Sequence, residues 1–584
     1  QLIDTTSSPA LRAADRQISI VERGRGVHNL VLAMSLLDSA IDGSAFARQA
    51  AGLSVEEDPW PRTRPASDGL RCHRGAESRN VQSFGQEFAH AAHMAGTGLA
   101  CERCHSRHEE RRKGSAALLF REPDCQGCHH ERIDRDACST CHEAEYKAWH
   151  GSHHDLAMQV ADGKTVLGNF DNVSLTQYGV TSLFYKKNGK FMVRTEGPQG
   201  TMQDYEVRYA FGVDPLQQYL VEFPGGRMQA LSLAWDARPQ EKGGQRWFHL
   251  YPDEKIAHDD ELHWTRLSQN WNTMCAECHS TNLEKNYDPV SRTFNTTWSE
   301  VNVSCEACHG PGSDHLLWAN KENGWEKLDA TQGLLLQLDE RKDVQWQLNS
   351  KTGNAERTKQ RTTAKEIEMC ARCHARRSPI SRDYVHGERL MDHYLPRTLD
   401  EGMYFADGQM QDEVYVYGSF LQSKMYHAGV TCSDCHEPHT MALRAPGNGV
   451  CLQCHSAVKY DQPEHHFHKN ESAGASCAEC LMPPRTYMVV DPRHDHSMRI
   501  PRPDLSVKLS TPNACNNCHQ DKDANWADQQ VRTWYGDKPE TFQAYAVSLH
   551  AARQDEAGAG NALAALVRDA QTPDIARATA LSLM

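Results

Sequence analysis

The chain has 584 residues, enough for several domains, since compact units usually run to roughly 100–200 residues. Hydrophobic residues make up 39% and charged residues 24%, and the longest apolar stretch near the start, residues 30–37, is far shorter than the roughly 20 residues of a membrane-spanning helix. The composition therefore argues against an integral membrane protein, and its 12 Trp, 18 Tyr and 15 Phe argue against a disordered chain. The net charge of −14 disfavours a general nucleic-acid binder and leaves room for a basic partner.

The two ends of the chain are abrupt. The sequence begins at Gln1 with no initiator Met, basic n-region or apolar h-region, so we expect that a secretion signal has already been removed. The last helical pattern stops at Met584 with no Gly or Pro after it, so we expect the natural polypeptide to continue.

Cysteine and histidine are unusually frequent, with 21 and 32 residues, and 18 of the cysteines fall into nine copies of Cys-x-x-Cys-His. Chance would supply about 0.04 copies at these residue frequencies. In chain order the motifs are Cys101-Cys104-His105, Cys125-Cys128-His129, Cys138-Cys141-His142, Cys275-Cys278-His279, Cys305-Cys308-His309, Cys370-Cys373-His374, Cys432-Cys435-His436, Cys451-Cys454-His455 and Cys515-Cys518-His519.

This spacing is typical of covalent haem c attachment, in which two thiols bind the vinyl groups of the macrocycle and the adjacent His supplies the proximal nitrogen to iron. Zinc ribbons also use Cys-x-x-Cys pairs, but they need two pairs per metal and no His after every second Cys. A thioredoxin-like domain would carry one such pair. The repeated motif therefore favours haem c with iron, at nine sites.

Two further positions each differ from the motif by one residue. Cys477 and Cys480 are followed by Leu481 instead of His, and Cys72-His73 lacks the first Cys. They are candidate degenerate haem sites, which would raise the count to eleven. The alternatives are a lost site, a disulfide between Cys477 and Cys480, or a sequence error. We favour present or recently lost haem sites, because the three remaining cysteines all occupy motif-like positions.

Histidines outside the motifs are numerous enough to give every iron a second axial ligand. Removing the nine motif His leaves 32 − 9 = 23. Several stand in contexts that favour a distal ligand. For example, the two His of HAAH before the Cys101 motif are three residues apart, so one helix could offer both rings to different haems. The candidates are His28, His90, His93, His153, His154, His263, His315, His427, His439, His466, His468 and His496.

The sequences CSTCHEAEYKAWHGSHHDLAM, HWTRLSQNWNTMCAECHSTN, VSCEACHGPGSDH, VTCSDCHEPH and CAECLMPPRTYMVVDPRHDHSMRIPRPD resemble multihaem c-type cytochromes. More narrowly, residues 125–530 resemble the bacterial group of hydroxylamine oxidoreductase and the nitrifier tetrahaem cytochromes, some of which carry C-terminal helical repeats. Leu481 departs from that pattern. The resemblance implies a fold of short α-helices and irregular loops around stacked haems.

Between the motifs, the predicted elements suggest three domains. Residues 1–135 form an N-terminal multihaem module with a helix at HNLVLAMSLL, and residues 136–530 form a multihaem cytochrome domain. An inserted antiparallel β region at about 160–255 contains a hairpin signal, Asn188-Gly189 between alternating flanks, and the segments YEVRYAF, QQYLVEF, MQALSLAW and RWFHLY. VQWQLNSKTGNAERTK predicts a second hairpin. Residues 531–584 form an Ala-rich helical tail like one helical repeat, which needs a partner surface to bury its apolar face.

Many haems along one chain favour electron transfer through a relay, because short separations such as that between Cys125 and Cys138 bring neighbouring haems close in space.

 Each iron of the relay would have a His ligand on both faces. The partners would be redox donor and acceptor proteins, or other copies of the chain. No nucleic-acid partner and no transmembrane segment are expected. The resemblance implies a periplasmic or extracellular location.

Two other functions stay open at this point. One is a haem enzyme that converts a small nitrogen or sulfur compound at an iron with an open coordination position, either at Cys477/Cys480 or beside the cluster of Arg372, Arg376 and Arg377, although that cluster is more typical of haem propionate pairing. The other is a polymerising cytochrome that forms an extracellular conducting filament, in which a His of one subunit binds a terminal iron of the next.

Overall fold

The computed structural model describes residues 135–381, 384–537 and 542–584, together with two short paired strands, Asn80–Ser83 (β1) and Gln86–Ala89 (β2). Its contacts divide the chain into two compact units, Gln1–His129 and His130–Met584. Several predictions fall outside the described residues: the HNLVLAMSLL helix, the Cys72-His73 position, the Cys101 and Cys125 motifs, and His28, His90 and His93.

A nine-stranded antiparallel sheet fills the predicted β region of the second unit. The first hairpin forms as predicted, with Lys187 opposite Lys190 and positive φ angles at Asn188 and Gly189 in the two-residue turn. MQALSLAW divides into two strands instead of one. The strands are Met158–Val160 (β3), Val173–Gln177 (β4), Val180–Lys187 (β5), Lys190–Glu196 (β6), Met202–Phe211 (β7), Leu216–Phe223 (β8), Arg227–Ala230 (β9), Leu233–Asp236 (β10) and Arg246–His249 (β11).

The sheet curls around an aromatic core. Its main path runs β11-β10-β8-β7-β6-β5-β4, with β3 on β7 and β9 on β8, and the end strands β11 and β4 come together. Phe184 of β5 and Trp247 of β11 stack with ring centroids 3.5 Å apart, and Phe170 meets both rings edge-on. Alternating buried positions in β5 and β6 supply this core, as expected for strands with one face inward.

Short helices and two-stranded hairpins make up most of the remaining unit. The second predicted hairpin forms from Trp346–Asn349 (β14) and Asn354–Arg357 (β15), with Trp346 opposite Arg357. The other strands are Tyr287–Asp288 (β12), Thr293–Phe294 (β13), Arg377–Pro379 (β16), Tyr394–Pro396 (β17), Pro484–Tyr487 (β18) and Asp491–His494 (β19).

The helices are mostly one to three turns long. They are Arg135–Ser139 (α1), Glu143–Trp149 (α2), Trp271–Met274 (α3), Ala276–His279 (α4), Cys305–His309 (α5), Ser313–Ala319 (α6), Lys365–His374 (α7), Leu390–His393 (α8), Tyr417–Phe420 (α9), Lys424–His427 (α10), Cys432–Cys435 (α11), Gly449–Leu452 (α12), Ala457–Tyr460 (α13), Pro463–His466 (α14), Cys477–Leu481 (α15), Pro503–Leu509 (α16), Ala514–Cys518 (α17), Ala524–Tyr535 (α18), Tyr545–Arg553 (α19), Ala559–Arg568 (α20) and Asp574–Ser582 (α21). In the described ranges, none is long and apolar enough to cross a membrane.

The C-terminal helices bury their apolar face against the part of the unit that carries the motifs. Leu549, Leu563 and Ile575 pack in one core with Leu399 and Tyr404. Arg553 adds hydrogen bonds from its guanidinium to the backbone carbonyls of Leu399 and Tyr404. The tail therefore finds its partner surface within the same unit.

Candidate haem sites

Each motif in the described part sits on a helical turn. The backbone N–H of the motif His donates to the carbonyl of the first Cys, as in His142 to Cys138 (2.9 Å) and His436 to Cys432 (3.0 Å). Because residues four apart lie one above the other on a helix, this bond brings the first thiol and the imidazole to the same face. One short helix therefore presents two thiols and one imidazole nitrogen to a single macrocycle.

Five motif imidazoles face a second imidazole. The ring centroids lie 6.0 to 6.5 Å apart. An imidazole nitrogen binds a metal ion at about 2.0 Å, and the ring centroid lies about 1.15 Å behind that nitrogen, so two rings on opposite sides of one iron stand about 6.3 Å apart. The pairs are His142 with His315, His374 with His154, His309 with His439, His436 with His496, and His519 with His468.

Four of the five second imidazoles have Nδ1 in a hydrogen bond to an oxygen of the protein. His315 Nδ1 lies 2.8 Å from the Gln332 carbonyl, and His439 Nδ1 lies 3.1 Å from Glu437 Oε1. His496 and His468 make the same kind of contact with backbone carbonyls two residues earlier. Metal-binding His usually donates its other ring N–H in this way, which fixes the tautomer and the ring orientation. In each case Nε2 is the nitrogen that can bind iron.

Burial keeps several of these imidazoles neutral, which is the form that binds a metal ion. It lowers the pKa of His309 to about 4, with a further contribution from His439, and it lowers the pKa of His374 to about 4, with a contribution from His154. Protein atoms surround His374, although its side chain keeps solvent exposure. Burial likewise lowers the pKa of His154 and His496.

Two motif imidazoles have other neighbours. His279 places Nδ1 3.0 Å from the Ala157 carbonyl, and its ring meets Phe211 edge-on at 5.5 Å. His455 places Nδ1 2.8 Å from Asn354 Oδ1, and its ring meets Tyr460. Among the described ring contacts, neither has a second imidazole opposite.

The thiols of successive motifs adjoin one another, which defines a spatial order. For example, a hydrogen bond with the Cys305 thiol raises the pKa of Cys138. The adjoining thiols are Cys138 and Cys305, Cys308 and Cys373, Cys278 and Cys373, Cys370 and Cys432, Cys435 and Cys454, Cys451 and Cys477, and Cys480 with both Cys515 and Cys518. The order of first cysteines is therefore 138, 305, 370, 432, 451, 477 and 515, with the Cys275 motif joining at the Cys370 motif.

Exposure of the thiols differs between the ends and the middle of this series. Cys141 and Cys518, in its first and last members, are exposed, whereas the other cysteines of the described part are half-buried. The thiols of the two end motifs thus reach the surface, and those of the middle motifs are partly covered by protein.

The other predicted distal candidates lie elsewhere. His153 is exposed. His263 is buried beside the β region, with Nδ1 2.8 Å from Thr265 Oγ1, and burial lowers its pKa to about 4. His427 packs against Tyr426 and Phe542. His466 accepts the His468 backbone N–H at Nδ1. In the described ring contacts, none of the four faces a motif imidazole.

The arginine cluster near the Cys370 motif is engaged with protein groups. Arg372 donates to the Ala307 carbonyl, contacts His386 Nε2 at 3.0 Å and lies over the Tyr384 ring. Arg377 forms an ion pair with Glu277 at 3.3 Å, and Arg376 reaches the Glu413 carbonyl. The cluster thus joins the Cys275, Cys305 and Cys370 motifs, and its three guanidinium groups do not converge on one point.

Sequence reasoning missed the residues that orient the imidazoles. Glu437 and Asn354 hold Nδ1 of His439 and His455. Asn448, the residue before α12, accepts the Cys477 backbone N–H at Oδ1 and donates to the Ala475 carbonyl. The Glu-Pro-His sequence after His436 contains a local signal for Glu437, whereas Asn354 lies far from His455 in the sequence.

Three protein families match separate segments of the chain. Residues 260–398 match the NapC/NirT cytochrome c family, N-terminal region, residues 425–460 match the doubled CXXCH motif, and residues 137–174 match the family of cytochrome c554 and c-prime. No curated protein matches. A solved structure, the outer cell wall cytochrome OcwA, is similar with a TM-score of 0.45 and 17% identity, over 77% of this chain and 99% of that chain.

The motifs and these family matches support a multihaem c-type cytochrome that binds haem c and transfers electrons. This agrees with the class that the sequence predicts. The relation to hydroxylamine oxidoreductase stays a prediction.

Proposed function

We propose that the protein carries electrons along the ordered series of haem motifs, from the Cys138 motif to the Cys515 motif. Haem c supplies a one-electron Fe(III)/Fe(II) couple when it is bound. The observation that carries the proposal is the proximity of thiols from motif to motif: three pairs are hydrogen-bonded (Cys138 with Cys305, Cys370 with Cys432, Cys451 with Cys477), and the thiols of the remaining links lie close enough to shift one another's pKa. Because covalent attachment fixes each macrocycle to its thiols, adjoining thiols hold neighbouring macrocycles close together.

In this proposal, five irons of the described unit have two His ligands, given by the five imidazole pairs. Their centroid separations of 6.0 to 6.5 Å support it, as do the Nδ1 hydrogen bonds of four of the second imidazoles. Two fixed imidazoles would hold the iron through both oxidation states, so little rearrangement would accompany each electron.

The second ligands also connect neighbouring motifs. His315, which follows the Cys305 motif, faces His142 of the Cys138 motif, and His439, which follows the Cys432 motif, faces His309 of the Cys305 motif. Each such pair ties two haem sites into one rigid body. We infer that this exchange of ligands sets the distances along the path.

Electrons enter and leave at the two exposed ends, in our proposal, because Cys141 and Cys518 are the exposed thiols of the described part. The partners are redox proteins or other copies of the chain, in the periplasm or outside the cell.

The test is stepwise reductive titration of the holoprotein with optical and EPR detection. We expect nearly all irons to be low-spin and to take up electrons over a broad range of potentials, with rapid equilibration among them. A chain whose haems reduce independently, without electron exchange on the millisecond scale after flash reduction, would contradict the relay.

A second function has one specific observation in its favour. At the Cys275 motif the ring against His279 is Phe211, an apolar side chain that cannot bind iron. An iron with His279 as its single imidazole would take a small nitrogen or sulfur compound. Anaerobic turnover with nitrite, hydroxylamine, sulfite and tetrathionate tests this function, and lack of turnover with all four would argue against it.

A further inference from the structure

The Cys477/Cys480 position occupies a link in the series of motifs although it lacks the motif His. Its helix, α15, begins at Cys477, as α5 and α11 begin at the first Cys of complete motifs. The N–H of Met482 bonds to the carbonyl of Ala478, so the helical turn continues past Leu481. The local backbone therefore resembles that of a haem-binding turn, with Leu481 where the imidazole would stand.

Both flanks of this helix adjoin complete motifs. On one side the Cys477 and Cys451 thiols are hydrogen-bonded. Asn448, the residue before α12, accepts the Cys477 backbone N–H at Oδ1, with the two atoms 2.9 Å apart. On the other side α15 packs against α17, and Cys480 lies close to Cys515 and Cys518. Without a group at Cys477/Cys480, the series would be interrupted between the Cys451 and Cys515 motifs.

A cavity borders Cys480 and the start of α17. Arg499, Arg502, Asn513 and Ala514 are among the residues that line it. Arg499 bonds to the Asp407 carbonyl and pairs with the Asp407 carboxylate, which also lines the cavity, and Arg502 pairs with Asp504, so the lining is polar and held in place. Guanidinium groups beside the thiols can form ion pairs with the two carboxylates of a macrocycle.

We propose that Cys477 and Cys480 bind a haem covalently, as a link between the haems of the Cys451 and Cys515 motifs, and that its iron is open to a small ligand such as carbon monoxide on the face where Leu481 stands. Each thiol adds across one vinyl double bond: sulfur bonds one carbon and the thiol hydrogen goes to the other. No atom is lost and no oxidant is needed. Leu481 has no lone pair, so it cannot take the axial position that the motif His takes elsewhere. This proposal rests on the relay proposed above.

The test compares three holoproteins: the unchanged chain, C477A/C480A and L481H. Intact mass after denaturation counts covalent haems, because thioether attachment survives unfolding. We expect C477A/C480A to lose the mass of one haem, as the control C451A/C454A does, and L481H to retain the full count. Equal haem numbers in the unchanged chain and C477A/C480A would overturn the proposal.

Ligand binding gives a second measurement that does not need the cysteine variant to fold. Leu481→His creates a complete motif and supplies an imidazole to this iron, so the carbon monoxide spectrum of the reduced L481H protein and the EPR spectrum of the oxidised protein should each change at one iron per chain. Unchanged spectra would overturn the open position. The low-spin signals of the complete motifs report separately on the relay, so their loss would count against the proposed function and not specifically against this site.

Discussion

The imidazole pair of His309 and His439 allows the ligand assignment to be tested by removing one nitrogen. The centroids lie 6.4 Å apart and the ring planes differ by 14°. Two bonds of about 2.0 Å with two centroid offsets of about 1.15 Å give about 6.3 Å, so the observed spacing leaves room for one iron and nothing larger. His439→Ala shortens the side chain by the whole ring, and no nitrogen remains within bonding distance of that iron.

We expect His439→Ala to convert one iron per chain, one in nine of the motif haems, from low-spin to high-spin without changing the haem count. EPR of the oxidised protein and intact mass measure the two quantities. Added imidazole should restore the low-spin signal, because the missing ring leaves a site of its own size.

His427→Ala is the matched control. His427 is also a sequence candidate, but its ring packs against Tyr426 and Phe542 and not against a motif imidazole. We expect the EPR spectrum of His427→Ala to show the same number of low-spin irons as that of the unchanged protein. Unchanged spectra for His439→Ala, or equal changes in both variants, would refute the assignment.

Three further predictions concern tuning and stability. Replacing Glu437 by Ala removes the carboxylate from His439 Nδ1, which makes His439 a weaker ligand for Fe(III). One reduction potential should therefore rise by about 60 mV, equivalent to a tenfold change in the affinity of His439 for Fe(III) relative to Fe(II). Protein-film voltammetry measures this shift, and an unchanged potential would contradict the prediction. Trp247→Ala removes the ring stacked on Phe184 and should lower the free energy of unfolding by about 3–5 kcal/mol in denaturant titration, while a loss below 1 kcal/mol would contradict the described core. Burial, with Arg372 beside it, lowers the pKa of His386 to about 3. The unfolded chain binds this proton below about pH 6.5 and the folded chain does not, so the free energy of unfolding falls as pH falls from about 6.5 towards 3. His386→Gln should lose less of this free energy over that window than the unchanged protein. Equal losses in the two proteins would contradict the burial argument.

Local signals in the sequence predict the motifs and the β region well. The Asn188-Gly189 turn fixes its hairpin because both residues tolerate positive φ, and the alternation on either side decides which face is buried. The nine motifs are equally local, since the spacing of two thiols and an imidazole on one turn is a property of consecutive residues.

Pairing of imidazoles depends on the tertiary fold and is not visible in the sequence. His154 and His374 lie on opposite sides of the whole β region in the chain, yet their rings stand 6.2 Å apart. His263 and His427 have equally suggestive contexts but lie in packed surroundings. Context therefore identifies the candidates, and only the folded arrangement of the motif helices separates those that face a second imidazole from those that do not.

The position of the helical tail shows the same limit. Its apolar periodicity predicts helices that need a partner, and Ile575 and Leu563 do pack in a shared core. The partner residues, Leu399 and Tyr404, belong to a loop region whose sequence has no helical or strand period. Their role in the core follows from the contact and not from a pattern of their own.

Iron positions in crystals of the holoprotein test the central proposal most directly. Anomalous scattering at the iron absorption edge locates each metal independently of the protein coordinates. The account predicts irons midway between the rings of the five imidazole pairs, in the spatial order of the Cys138, Cys305, Cys370, Cys432, Cys451, Cys477 and Cys515 sites, with the Cys275 iron beside the Cys370 iron. Irons displaced from those midpoints, or a different order along the chain of sites, would contradict it.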